Sequence, residues 1–224
     1  MEKMPFQPHA DVDTIVSTVP TVKSGLHRHD WRTGLPILTG SLVTLRELRM
    51  EDAPALFAAL TTEEVSRFIS PPPSTIEGFE RFIAWSHKER IAGQYVCFAV
   101  VPRGSNVAIG LFQVRSLEAD FGSAEWGFAI ASEFWGTGVF VDGAKLVVQF
   151  AFETIGSHRL EARAAVLNGR GNGALRKIGA VREGILRKSF IRNGECLDQS
   201  LWTILAEDWR AAKIRNSQES STIH

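Results

Sequence analysis

The spacing of apolar residues predicts one strand and two helices in the first regular part of the chain. A short strand over 42–45 precedes a helix over 53–60, for which Asp52 is the predicted N-cap. After three consecutive prolines, Ser74-Thr75-Ile76-Glu77 has the form of a capping box, in which the Ser74 hydroxyl caps the next helix. One face of that helix carries its buried residues, and a glycine ends it: Phe79, Phe82, Ile83 and Ser86, then Gly93.

Three strands follow before the period changes again. Residues 95–101, 107–114 and 124–130 are rich in strand-forming residues and are separated by turn sequences. Side chains of the third strand are expected to alternate between the two faces of the sheet. One face carries Ala124, Trp126, Phe128 and Ile130, and the other carries Glu125, Gly127 and Ala129. Apolar residues then recur at helical spacing over about 139–155, which predicts a helix buried on more than one side.

The last third of the chain repeats the alternation of strand and helix. We expect a strand over 160–166 and a loop over 168–173. A short helix over 174–178 follows the loop, and a final polar helix covers 207–215.

A hairpin is predicted between those two helices. Asn193-Gly194 favours a two-residue turn between strands 185–192 and 197–205, although Glu195-Cys196 also allows a longer loop. Antiparallel strands followed by strand–helix–strand units are typical of a single α+β domain, with a mixed, mostly antiparallel sheet and helices on both faces. We divide the chain into an N-terminal extension, a domain and a polar tail: residues 1–37, 38–212 and 213–224.

The charge balance narrows the class of partners. Lys and Arg number 25 and Asp and Glu number 25, so the formal net charge is zero. Because a neutral chain has no overall positive field, we expect neither nucleic acid nor an anionic membrane as a partner, and any anionic ligand must be held locally. The sequence has no apolar run of membrane-spanning length and no signal peptide, so we expect a cytoplasmic protein.

Cysteine and histidine positions do not form a metal-binding pattern. Cys97 and Cys196 lie far apart, as is typical of reduced thiols, and Cys196 has no neighbouring base that would make it a nucleophile. His27 and His29 are close together, but no second group of ligands at metal-site spacing follows. We therefore expect no metal.

A glycine turn carries the clearest chemical signal. Trp135-Gly136-Thr137-Gly138 stands between the strand over 124–130 and the helix that follows it. Glycines there let successive amide N–H groups converge at the helix N-terminus, which forms an anion site without a cationic side chain. Val141 stands where a dinucleotide-binding fingerprint requires a third glycine, and there is no P-loop motif. By itself the turn is equally compatible with a purely structural role.

A second element, about thirty residues further on, makes the pattern specific. The chain resembles the GNAT acyltransferase superfamily, and within it the RimJ/RimL-like branch of ribosomal-protein N-terminal acetyltransferases. Three motifs carry the resemblance in order and spacing: Ala124-Glu125-Trp126-Gly127-Phe128, Trp135-Gly136-Thr137-Gly138, and Asn168 with Lys177-Ile178-Gly179-Ala180. The likeness covers about residues 38–212.

The resemblance implies acetyl-CoA as the donor and an amine as the acceptor, either a protein N-terminus or a small molecule. We expect a monomer or a homodimer that requires no metal. Glu125 is the candidate general base because it is the one carboxylate on the strand before the glycine turn. The candidate residues for binding acetyl-CoA are Phe128, Ala129, Ile130, Trp135, Gly136, Thr137, Gly138, Val139, Phe140, Asn168, Gly171 and Lys177.

Some positions depart from the family pattern. Trp135 takes the usual Gln or Arg position, Phe140 stands where Gly or Ala is usual, and Gly171 replaces a Ser. Leu175 lies where many members carry a Tyr that protonates the leaving thiolate, and the only tyrosine, Tyr95, is distant in sequence. These departures leave a second function open, namely a catalytically degenerate acyl-CoA-binding or regulatory module.

Overall fold

The computed structural model describes residues 30–221, with side chains described as far as Arg215. Eight strands form one sheet in the order β1-β2-β3-β4-β5-β6-β8-β7. Every neighbouring pair is antiparallel except β5 and β6, which run parallel. The strands are β1 (Leu38–Thr39), β2 (Val43–Glu47), β3 (Tyr95–Pro102), β4 (Gly110–Ser116), β5 (Ser123–Ile130), β6 (Arg159–Ala165), β7 (Val181–Arg192) and β8 (Glu195–Leu205).

Helices cover both faces of this sheet. They are α1 (Ala53–Leu60), α2 (Glu63–Ser66), α3 (Ile76–Ile91), α4 (Val139–Phe150), α5 (Gly169–Lys177) and α6 (Ala206–Ser221). α4 runs on as a single wider turn over Ala151–Ile155. The prediction of an α+β domain with a mixed, mostly antiparallel sheet is confirmed.

Two hydrophobic clusters lie on opposite faces of the sheet. The first core cluster, on the side of α4 and α5, includes Phe98, Phe112, Trp126, Val147, Leu175 and Trp202. The second core cluster, on the side of α1–α3, includes Leu56, Phe79, Phe82, Tyr95, Leu111 and Ala129. β5 contributes to both clusters because its even-numbered side chains enter the first and Ala129 enters the second, as its alternation predicts.

Two predicted helix starts are wrong. α3 is capped by Thr75, whose hydroxyl accepts from the Gly78 N–H at 3.0 Å, so the cap lies one residue after the predicted Ser74. α5 begins at Gly169, inside the predicted loop over 168–173. Glycine is unfavourable in helix interiors, but Gly169 and Gly171 occupy the first turn of α5, where the Asn168 cap offsets their low propensity.

Asp52 holds its predicted N-cap position while its side chain bonds elsewhere. The Asp52 carboxylate accepts two hydrogen bonds from Arg46, both at 2.7 Å, and one from the Arg49 N–H. Both side chains of the Arg46–Asp52 pair are buried, and the pair ties β2 to the start of α1. The carboxylate therefore stabilises the turn before the helix.

The strand predictions are accurate except at their ends. β4 starts at Gly110, three residues after the predicted start. The β7–β8 hairpin turns at Asn193 and Gly194, both with positive φ (50° and 82°), so the two-residue turn is confirmed and the longer loop is wrong. α6 continues to Ser221, past the predicted end at 215.

Part of the predicted N-terminal extension packs on the domain. Trp31 is buried in the first core cluster, and its ring centroid lies 5.5 Å from that of Phe121. His27 and His29 lie outside the described residues. Among residues 30–221, no helix is long and apolar enough to cross a membrane, and no group of three acidic, His or Cys residues could hold a metal ion.

Candidate active site

The one parallel strand pair opens into a gap. β5 and β6 are in register only from Ser123–Arg159 to Glu125–Glu161. Beyond Glu125 the two strands separate, and β6 continues against β8 as far as Ala165. We call the space beside residues 126–130, on the side of β6, the β5–β6 gap.

The direction of the β5 backbone groups is fixed by bonds at its N-terminal end. The Gly122 carbonyl accepts from His158 N–H on the β6 side, whereas the Ser123 carbonyl accepts from Leu117 N–H on the β4 side. Backbone groups of successive strand residues point alternately to the two neighbours. Even-numbered residues of β5 therefore direct their N–H and C=O groups toward β6.

The other end of β5 has the same alternation. The Ala131 N–H donates to the Ile109 carbonyl before β4 at 2.8 Å, so odd-numbered residues face β4. Of the three β5 residues predicted to bind acetyl-CoA, Phe128 and Ile130 consequently direct their backbone groups to the β5–β6 gap, while Ala129 faces β4. The Ile130 carbonyl already accepts from the Trp135 indole N–H at 2.9 Å.

The glycine turn that follows β5 has the geometry of an anion site. Gly136 and Gly138 adopt φ values of +79° and +91°, which residues with a side chain rarely adopt. Gly138 is the N-cap of α4. Among the described residues, the N–H groups of residues 136–141 have no hydrogen-bond acceptor, whereas the Thr137 hydroxyl donates to the Phe134 carbonyl. These amides converge where the helix dipole is positive.

Phe140 lies in the first turn of α4, and its ring packs on aromatic neighbours. Its centroid is 4.4 Å from the Phe128 ring and 6.0 Å from the Phe112 ring. The bulk at this position thus contacts the edge of the first core cluster, together with the buried Val139. The amides of the turn belong to the backbone, which a phenyl side chain does not alter.

Asp142 anchors the same helix end to the hairpin between β1 and β2. Its carboxylate accepts from the Ser41 hydroxyl and from the N–H groups of Ser41, Leu42 and Val43, at 2.8–3.1 Å. Although partial burial acts to raise it, these hydrogen bonds hold the pKa of the Asp142 carboxyl below its usual value. Leu42 also lies against Gly138, where a Cβ would come within 3.1 Å of its Cδ1.

The N-terminus of α5 reaches the same edge of the sheet but is capped by its own chain. The Asn168 side chain accepts from the Gly171 N–H at 2.8 Å, and a Cβ at Gly171 would lie 2.6 Å from the Asn168 amide nitrogen. Arg170 places its guanidinium 4.1 Å from the centroid of the Trp135 ring. This cation–π contact brings the start of α5 next to the glycine turn.

Not every predicted residue lies near the glycine turn. Lys177 is exposed and ends α5, about 13 Å along the helix from its start at 1.5 Å per residue. Leu175 is buried in the first core cluster and leaves no acidic group at the position of the usual tyrosine.

Glu125 lies at the closed end of the gap, on the opposite face from Trp126. Its carboxylate is ion-paired with Arg115 on β4, and Arg163 lies 3.9 Å away on β6. The Glu125 side chain is 22% exposed, so it remains accessible to a small molecule or to water. The neighbouring Glu161 is paired with Arg159 at 3.0 Å.

Among the described residues, the tyrosine, the two cysteines and His87 have no hydrogen bond or ion pair with Glu125 or with the glycine turn. Tyr95 and Cys97 are buried on β3, and burial raises the pKa of both groups. Cys196 is exposed on the β7–β8 hairpin. His87 bonds the Leu48 carbonyl at 2.8 Å.

Three residues that contact or oppose the candidate residues, Arg115, Gln113 and Asp142, have no signal in the sequence. Arg115 and Gln113 alternate on β4, yet only the β4–β5 register places them beside Glu125 and Gly127. Asp142 binds residues about one hundred positions earlier in the chain, a contact that no local pattern encodes.

Comparison with known proteins agrees with this arrangement. Residues 43–181 match the model of the acetyltransferase (GNAT) domain family. An uncharacterized N-acetyltransferase, YoaA, of Bacillus subtilis is 28% identical over 175 residues, which cover 76% of this chain and 97% of that protein. Both the strand pair that opens into a gap and the glycine turn lie within the matched region.

Solved structures have the same fold. RimJ of Mycobacterium smegmatis, in complex with CoA-disulfide, has a TM-score of 0.70 at 20% identity, covering 77% of this chain and 88% of that one. The ribosomal-protein-S5-alanine acetyltransferase of Vibrio fischeri has a TM-score of 0.69 at 19% identity, and the match covers 78% of this chain and 98% of that one. At such identities these structures show only that the fold is shared. The family is shown by the match to the acetyltransferase (GNAT) domain, which covers more than half of the sequence. The chain belongs to the GNAT acetyltransferase family and is an acetyltransferase.

Proposed function

We propose that this protein transfers the acetyl group of acetyl-CoA to a primary amine by direct attack on the thioester. The observation that carries the proposal is that the N–H groups of residues 136–141, at the open end of the β5–β6 gap, have no acceptor within the part of the chain that the structure describes. Glu125 lies at the closed end of the same gap. These N–H groups and the carboxylate lie beyond the two ends of the gap beside β5, which supports a diphosphate at one end and proton transfer at the other.

The glycine turn fits the diphosphate of CoA. Its backbone N–H groups and the positive end of α4 compensate the negative charge of a diphosphate. Such a local site is needed because a chain of zero net charge has no overall positive field to hold an anion. Arg170, held over the Trp135 ring, adds a cation at the same edge. Asn168 and Gly171 support this site indirectly, because their mutual hydrogen bond fixes the start of α5.

When bound, acetyl-CoA supplies an acetyl group activated as a thioester. The Phe128 and Ile130 N–H groups face the gap and are suited to donate to the thioester carbonyl oxygen. The Glu125 carboxylate accepts the proton that the amine loses on forming the new C–N bond, directly or through one water. The sulfur leaves as a thiolate, and its conjugate acid has a pKa of about 8.5, so solvent can protonate it without a tyrosine.

The acceptor must be neutral to attack. An α-amino group, with a pKa of about 7.7–8.0, is partly neutral near pH 7, whereas a lysine side chain at about 10.4 is several hundredfold less so. We therefore propose a protein N-terminus or a small α-amine as the acceptor. The ribosomal-protein-S5-alanine acetyltransferase of Vibrio fischeri, which has the same fold, supports the first of these by its name.

A thiol-release assay with a panel of amines and N-terminal peptides tests the proposal. We expect acetyl-CoA-dependent release of CoA with at least one α-amine, and CoA should raise the thermal midpoint of the protein. Binding of CoA without transfer to any acceptor would support the degenerate acyl-CoA-binding module instead. No thermal shift at concentrations far above micromolar would show that the glycine turn is not the CoA site.

A further inference from the structure

A buried glutamine lies one row from Glu125 on the face of the sheet that carries the second core cluster. The β3–β4 and β4–β5 registers define two adjacent rows of side chains: Tyr95–Arg115–Glu125 and Cys97–Gln113–Gly127. Gln113 is 7% exposed, and charged residues fill the neighbouring row at Arg115 and Glu125. A buried amide beside an ion pair requires a partner or a function.

Tyr95 fixes the orientation of the Gln113 amide. The buried Tyr95 hydroxyl donates to Gln113 Oε1, and the Trp85 ring packs over Tyr95 with its centroid 4.8 Å away. This bond leaves the amide nitrogen, Nε2, as a directed donor. Among the residues that the structure describes, Nε2 has no hydrogen-bond acceptor, and it is not one of the fully buried polar atoms.

Gly127, the register partner of Gln113 on β5, has no side chain, and the Gln113 amide lies directly over its backbone. A Cβ at Gly127 would lie 3.0 Å from Gln113 Nε2, so the donor points at the position that a side chain would otherwise fill. Glu125 lies two residues back on the same face, about 7 Å along the strand. The β5–β6 gap lies on the other side of Gly127. Along β5, the amide donor over Gly127 therefore lies between the Glu125 carboxylate and the proposed thioester site.

We propose that Gln113 Nε2 donates a hydrogen bond to the carbonyl oxygen next to the acceptor's amine. This inference rests on the proposed function and narrows its substrate class to α-amino acyl compounds, that is, peptide N-termini or amino-acid derivatives. Such molecules carry an oxygen two bonds beyond the carbon that bears the amine, which lets the amine face Glu125 while the oxygen meets Gln113. Simple alkylamines and polyamines lack this oxygen.

Acetyl transfer to two acceptors tests the assignment. The acceptors are a short peptide with a free N-terminus and an alkylamine of similar size without oxygen. In Gln113→Met, kcat/KM for the peptide should fall about five- to tenfold, the effect of one neutral hydrogen bond, while the value for the alkylamine changes less than twofold. The KM for acetyl-CoA should not change.

Two further variants separate this role from a structural one. Gln113→Glu keeps an acceptor for Tyr95 and replaces the N–H donor with a negatively charged acceptor oxygen, which cannot donate to the peptide carbonyl, so it should show the same loss of preference for the peptide if Gln113→Met fails to fold. Gln149→Ala, at the far end of α4, is the matched control and should leave both acceptors unaffected. Calorimetric dissociation constants for the two amines, measured with CoA present, give the same comparison without turnover.

An equal fall for both acceptors, or a change confined to the KM for acetyl-CoA, would overturn the assignment of Gln113. That result differs from failure of the proposed function, in which the wild-type protein acetylates no amine at all.

Discussion

Arg115 and Glu125 form an ion pair across the β4–β5 register, at the last position where β5 still pairs with β6. The guanidinium holds the carboxylate on the face of the sheet opposite Trp126, directly before the strands separate. A residue that is placed by three strands at once is fixed in position without a loop, which is what proton transfer in a defined geometry requires.

Replacement of Glu125 by Gln should reduce turnover. We expect kcat to fall about 10²–10⁴-fold, because the neutral amide cannot accept the proton of the attacking amine, while the KM for acetyl-CoA stays within about twofold. Steady-state thiol release at saturating acetyl-CoA measures both. Glu161→Gln, its register partner on β6, is the matched control and should lower kcat less than about fivefold. Unchanged turnover in Glu125→Gln would contradict the assignment of Glu125 as the base, but it would not affect the assignment of the CoA site.

Replacement of Gly138 by Ala should damage both stability and CoA binding. An alanine at this position would have to keep the left-handed φ of +91°, and its Cβ would approach Leu42. Together these effects should lower the free energy of unfolding by about 1–2 kcal/mol. The KM for acetyl-CoA should rise more than that for the amine. Gly173→Ala is the control, since this helical position in α5 has open space and no positive φ, and alanine should stabilise it by about 0.5–1 kcal/mol. Equal KM effects on both substrates would argue against the turn as a CoA site.

Asp142→Asn should destabilise the protein in a pH-dependent way. Because hydrogen bonds lower the pKa of the folded-state carboxyl, its stabilisation is complete above the unfolded pKa of about 3.9 and is lost as the pH falls through the folded value. At pH 7 the variant should lose about 1–3 kcal/mol, the value of a charge-assisted hydrogen bond. The difference between the thermal midpoints of variant and wild type should be constant near neutral pH and should narrow as the pH falls below the unfolded pKa toward pH 3. The exposed Asp208→Asn should show no such narrowing, and a gap that stays constant down to pH 3 for Asp142→Asn would contradict the account.

The two thiols should differ in reactivity. Burial raises the pKa of Cys97, so the native protein should titrate one thiol per chain with an aromatic disulfide reagent at pH 8, and two after denaturation. Cys196→Ser should abolish the native reaction and leave acetyl transfer unchanged. Loss of transfer in that variant would point to a covalent mechanism instead of direct attack.

The local elements were predictable because local chemistry determines them. Asn193-Gly194 fits only a tight hairpin turn, and the alternation in β5 separates Glu125 from the apolar face. Capping is less certain from sequence, since neighbouring Ser74 and Thr75 are both good caps and packing decides between them. The start of α5 was missed because its glycines argue against a helix.

The site itself depends on contacts between distant segments. Nothing in the sequence around Arg115 specifies its pairing with Glu125, because strand register is set by the whole sheet. Asp142 looks like an ordinary first-turn acid until the β1–β2 hairpin is placed on it. The sequence motifs therefore located the glycine turn and Glu125, while the residues that orient them required the structure.

A crystal structure of the protein with bound CoA tests the central claim most directly. The account predicts diphosphate oxygens within hydrogen-bond distance of the N–H groups of residues 136–141 and the thiol end of CoA in the β5–β6 gap, between Phe128 and Glu125. CoA bound elsewhere, with the amides of the turn unoccupied and the gap empty, would contradict it.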